Sequence, residues 1–120
     1  MIFADTGALY AVLVKADENN ARANTWLQAH KRKARLFTTD YVLIDLLTLL
    51  RARGQLARAR VTAKALFGGK IARIHHVSED YLKAGAESFD LFADKAWSFT
   101  NCVCYAVMER LGVKKAFWFQ

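Results

Sequence analysis

Four short apolar segments punctuate this chain, and long helical stretches separate them. The segments are "IFA" (2–4), "RLFTT" (35–39), "IARIHHV" (71–77) and "KAFWF" (115–119). Strands joined by a tight turn pair antiparallel. Strands separated by a helix need a crossover and pair parallel. The spacing here admits only crossovers, so it predicts right-handed connections and a mainly parallel sheet of four to five strands. Helices must then cover both faces, which gives a three-layer α/β/α fold.

The intervening stretches carry helix signals. Asp5, Thr6 and Gly7 form a turn, and "ALYAVLV" opens a helix after them. "ENNARANTWLQAHKRK" puts Ala21, Trp26, Leu27 and Ala29 at helical spacing. "DYVLIDLLTLLRARG" has Thr39 or Asp40 as its cap and Gly54 as its stop. "QLARARVTAKALFGG" ends at Gly68 and Gly69, and a further helix runs from Ser78 to about Phe92. "SFTNCVCYAVMERLG" begins on Ser98 as N-cap and stops at Gly112. The chain contains no proline, repeat or linker, and its 120 residues suit one domain spanning 1–120.

Composition narrows the class. Apolar residues make up 54% of the chain, enough for a packed core. No apolar run approaches the ~20 residues that span a bilayer. The N-terminus shows no signal-peptide pattern, so a cytoplasmic protein with no membrane partner is expected. Cys102 and Cys104 stand two apart on one helix, where they do not face each other, and read as buried free thiols. The net charge of +7 favours a polyanionic partner, nucleic acid or an acidic protein. The "KRKAR" run, with Lys31, Arg32, Lys33 and Arg35, either grips RNA phosphates or forms a solvated helix end.

In a parallel sheet, ligands bind beyond the carboxyl ends of the strands. Asp5 ends the first strand; Thr38, Thr39 and Asp40 end the second; Gln120 ends the last. Asp5 is either a turn-forming cap or a site residue. Asp45 lies inside the apolar "YVLIDLLTLL" helix with no Lys or Arg within a turn. A charge there needs either exposure or a polar site to face. Asp94 is either part of a site or a loop acid paired with Lys95. Asn101 stands three residues after Ser98, at a position that suits a carboxylate. His75 and His76 point to opposite faces of a strand end, with no metal-ligand spacing around them. Trp97, Phe99, Phe117, Trp118 and Phe119 read as core, and Trp26 as core or interface.

"MIFADTGALYAVL", "TTDYVLIDLLTLLRARG" and "ADKAWSFTNCVCYAVMERLGVKKAFWF" together resemble the signature blocks of PIN domains, and most of all the VapC-like toxins of toxin–antitoxin pairs. The resemblance covers nearly the whole chain. It implies an endoribonuclease that gathers carboxylates around Mg²⁺ or Mn²⁺ to cut RNA. Carried over by position, the acidic residues of the family fall on Asp5, Asp45, Asn101 and Gln120, with Asp5 and Asp45 as the metal ligands. Thr6, Ser98 and Asp94 are auxiliary to them. The family carries Glu where Asp45 stands, and Asp where Asn101 and Gln120 stand. It also continues a short way past the final strand, where this chain ends.

Losing two full charges weakens such a site, so Mg²⁺ or Mn²⁺ is expected to be held weakly or not at all, and catalysis to be weakened or lost. The resemblance further implies RNA and an antitoxin-like protein as partners. It also implies a homodimer through the "YVLIDLLTLLRARG" helix and its successor. The alternative is a protein that binds RNA, or an antitoxin-like partner, without cutting.

Overall fold

A computed structural model describes residues 1–30 and 35–119. Lys31, Arg32, Lys33 and Gln120 lie outside the described residues. The element order is β1 (Ile2–Ala4), α1 (Thr6–Leu13), α2 (Asn20–His30), β2 (Leu36–Thr39), α3 (Asp40–Ala52), α4 (Leu56–Phe67), β3 (Arg73–His75), α5 (Glu79–Leu91), α6 (Phe99–Leu111) and β4 (Lys115–Phe117). The expected strands are all present. β1 fills its apolar run, whereas β2, β3 and β4 are shorter than theirs.

The four strands form one wholly parallel sheet in the order β3-β2-β1-β4. Ile2 aligns with Leu36 on one side and with Lys115 on the other. Ile2, Phe3 and Ala4 are all buried, so β1 is covered on both faces, as parallel sheets require. The chain moves outward from β1 through β2 to β3, then returns to the opposite side of β1 as β4. The strand order therefore reverses between β1 and β4, and Asp5 sits at the carboxyl end of that junction. A crevice opens at such a reversal point.

Local chemistry accounts for the helix ends. Thr39 caps α3, its hydroxyl accepting from the Val42 N–H at 3.2 Å. The exposed carbonyls at the end of α1 are met by side chains of α2. Asn20 Nδ2 donates to the Ala11 carbonyl at 2.8 Å, and Asn24 Nδ2 to the Val12 carbonyl at 3.2 Å. Helix α6 ends at Gly112 with φ of 67°, and the Val113 N–H reaches back to the Met108 carbonyl. This left-handed turn suits glycine because it has no Cβ.

Gly85 has a different role. A Cβ there would meet the Val103 Cγ2 at 2.5 Å and its Cα at 2.9 Å, so the missing side chain lets α5 lie directly against α6. The main core gathers Phe3, Leu9, Tyr10, Phe37, Leu46, Leu50, Leu66 and Phe117 between sheet and helices. Among the described residues no helix is long and apolar enough to cross a membrane.

Candidate functional site

Asp5 is the N-cap of α1, yet its side chain closes no cap hydrogen bond. It is only 6% exposed. Burial pushes its carboxyl above the ordinary carboxylate range. The Thr6 and Gly7 amides at the start of α1 pull the other way, and the Asp45 charge adds a further push upward. Asp45 is half-buried and sends its field toward Asp5 and Cys104. Asp45 is thus near enough to Asp5 for its charge to be felt there, but it does not line the cleft over Asp5.

Asn101 reaches the same place from the other end of the chain. Ser98 and Asn101 form a complete capping box at the start of α6. The Asn101 N–H donates to Ser98 Oγ at 3.1 Å, and the Ser98 N–H donates to Asn101 Oδ1 at 3.1 Å. With its oxygen committed to the cap, the amide turns its Nδ2 outward, and this donates to Asp5 Oδ1 at 3.3 Å. An Asp at this position would keep the cap and turn a second carboxylate oxygen on Asp5. Two carboxylates at that separation repel strongly without a cation between them. The amide converts the repulsion into a hydrogen bond.

That bond decides how a divalent ion fits. A cation approaching Asp5 Oδ1 meets an N–H donor, and the Asn101 carbonyl is already turned to its own helix. Among the described residues no group of three or more His, Cys, Asp or Glu side chains is arranged to hold a metal ion. Among the described residues, the groups around Asp5 do not form the carboxylate cluster that the sequence resemblance implies for Mg²⁺ or Mn²⁺.

A cleft of about 500 Å³ opens over Asp5, lined by Asp5, Lys95, Ala96, Trp97, Asn101, Trp118 and Phe119. Lys95 was not foreseen as a site residue. Among the described residues it forms no ion pair with Asp94, and its Nζ lies 5.9 Å from the Trp97 ring centre. Asp94 is exposed and is not among the residues lining the cleft. Thr6 is half-buried at the first turn of α1, where its amide acts on Asp5. Beneath the acids, the Thr39 hydroxyl and Cys104 thiol approach to 3.4 Å. Burial drives that thiol up to about 12, so it is an inert packing group. Both cysteines are free and buried, as expected.

Several side chains stand elsewhere. Arg35 precedes β2, at the end of the sheet opposite Asp5, and lines a separate apolar groove. His76 is exposed and lies 3.4 Å from Asp40, whereas His75 packs edge-on against Tyr81. The aromatic residues need correcting. Phe117 is core, but Phe99 is 39% exposed, and Trp97 and Trp118 are half-buried cleft walls. Trp97 precedes α6, Phe99 opens it, and Trp118 follows β4, so all three stand at element ends.

No protein-family profile matches the chain. Among curated proteins, it is 31% identical over 120 residues to the 23S rRNA-specific endonuclease VapC20 of Mycobacterium tuberculosis, in strains CDC 1551 and H37Rv. The match spans 99% of this chain and 88% of that protein. The crystal structure of the same M. tuberculosis protein, described as a sarcin-ricin loop cleaving toxin, superposes with a TM-score of 0.90 at 27% identity. It covers 100% of this chain and 90% of that one. The switch-point acid, the helix-borne second acid and the Ser98 frame thus occur in a chain whose full length follows that protein. The chain belongs to the VapC-like toxins of the PIN-domain family.

Proposed function

We propose that this protein keeps the RNA-binding cleft of a VapC-type ribonuclease while its metal-dependent cleavage is weakened or lost. The observation that carries this reading is the 3.3 Å hydrogen bond from Asn101 Nδ2 to Asp5 Oδ1. It supplies a donor where an ion-binding site needs an acceptor. The ligand class is RNA, by similarity to relatives named for cutting 23S rRNA, and the net charge of +7 supports it. Mg²⁺ or Mn²⁺ is held weakly at most, through Asp5 and Asp45, with Gln120 adding no charge.

The test is incubation with 23S rRNA fragments in Mg²⁺ and in Mn²⁺. Little cleavage is expected. EDTA-sensitive cleavage that Asp5→Ala abolishes would overturn the reading. A paired measurement follows the thermal midpoint. The native protein is expected to be insensitive to Mg²⁺. The double variant Asn101→Asp, Gln120→Asp is expected to melt earlier in EDTA and to recover in Mg²⁺.

A second reading, capture of an antitoxin-like protein, has one observation in its favour. A groove of about 710 Å³ is lined by Leu9, Val12, Leu13 and Leu27, with Arg35, Lys70 and Arg73 also among its walls. Apolar walls with cations beside them suit an acidic amphipathic segment.

A further inference from the structure

Three hollows run in series beside α6. The first is the Asp5 cleft. The second, about 250 Å³, is walled by Trp97, Asn101, Tyr105, Met108, Ala116 and Trp118. The third, about 380 Å³, includes Tyr105, Met108, Glu109 and Lys114. Trp97, Asn101 and Trp118 are shared by the first two, and Tyr105 and Met108 by the last two, so the hollows adjoin in series as a trough along α6.

Its regularity comes from two elements. Asn101, Tyr105 and Met108 follow one another by four and three residues, a single stripe of α6. Ala116 stands in β4 and Trp118 directly after it, and both face the same hollow. Phe92 backs the wall, with ring centres 5.0 Å from Trp97 and 5.5 Å from Tyr105. The aromatic surfaces are thus held in place before anything binds.

Charge alone does not hold a polyanion here. Lys95 and Lys114 stand near the two ends, but Asp5 and Glu109 accompany them. The middle hollow is walled by three aromatic rings, a thioether and a methyl group, with the Asn101 amide as its one polar side chain. Flat apolar walls of that kind take the face of an unstacked nucleobase, which any sequence supplies. A duplex, with its bases stacked inside, offers no such face.

We propose that the trough between α6 and β4 is a stacking site for an unpaired RNA nucleotide, with its base laid against the cluster of Trp97, Tyr105 and Trp118 rings that walls the middle hollow and its flanking phosphates toward Lys95 and Lys114. This deepens, and rests on, the reading that the cleft takes RNA.

The test measures binding of a labelled single-stranded oligouridylate and of an abasic oligomer of equal length, both in EDTA. The native protein is expected to bind the base-bearing oligomer more tightly. Trp118→Ala is expected to weaken that binding about tenfold and to leave the abasic oligomer unaffected. Ala116→Phe fills the middle hollow without removing a wall, and is expected to give the same selective loss if Trp118→Ala does not fold. Equal affinity for the two oligomers, or equal loss from both, would overturn the stacking site while leaving RNA binding standing. Failure of the native protein to bind either would overturn the RNA reading itself.

Discussion

Asp5 shows how much one carboxylate contributes when its surroundings disagree about its charge. Burial and Asp45 favour the protonated form, and the α1 amides favour the ionised one, with burial the largest effect. The folded state therefore holds this proton more tightly than the unfolded chain does. Asp5 contributes most favourably below its ordinary value of 3.8, and that contribution is lost as pH rises through the higher folded value. Asp5→Asn keeps an oxygen for the Asn101 amide and removes the charge. It is expected to raise the thermal midpoint at pH 7 and to lose that advantage below pH ~3.8. Denaturation curves across that range check it, and an advantage independent of pH would count against the buried charge as the cause.

Helices α5 and α6 illustrate a constraint carried by an element pair. Helix α6 brings Ser98, Asn101, Tyr105 and Met108 to the site only if it lies where α5 holds it. The close approach at Gly85 sets that position. Gly85→Ala gains about 1 kcal/mol of helix propensity. It also forces a methyl into Val103 backbone and side chain, an overpacking cost of about 1–3 kcal/mol. Because the Val103 Cα itself is in the way, the clash wins. A net loss of up to roughly 2 kcal/mol in urea unfolding is expected. A stabilised variant would mean that the two helices separate without cost.

For the whole molecule, the open question is how the outward faces of α3 and α4 are covered. Ile44 is 59% exposed and Val61 is 67% exposed, with Leu56 and Phe67 also exposed. Large apolar side chains grouped on neighbouring helices mark an association surface. A homodimer through α3 and α4 is our expectation, and light scattering at several concentrations checks it. Val61→Asp is expected to shift the mass toward the monomer without changing the circular dichroism. A native protein that stays monomeric throughout would rule this dimer out.

The alternation of elements was legible because periodicity and caps are local. A short apolar run after a helix stop announces a strand wherever the chain carries it. Asp5 was legible for the same reason, being the first polar residue after β1. Asp45 stood out because a charge inside an apolar helix has few explanations. Contacts across long sequence separations were not legible.

Nothing near Asn101 says that its amide reaches Asp5, 96 positions away. Lys95 looked like the partner of its neighbour Asp94, and Trp97 and Trp118 looked like core. The return of β4 to the far side of β1 decided all three. It opened the crevice over Asp5, set Trp118 beside α6, and left those rings with only one side to bury. The sequence by itself determined the elements and the family frame. Only the tertiary structure decided that the Asn101 amide meets Asp5 in a hydrogen bond, because a donor and an acceptor so far apart in the chain meet through packing alone.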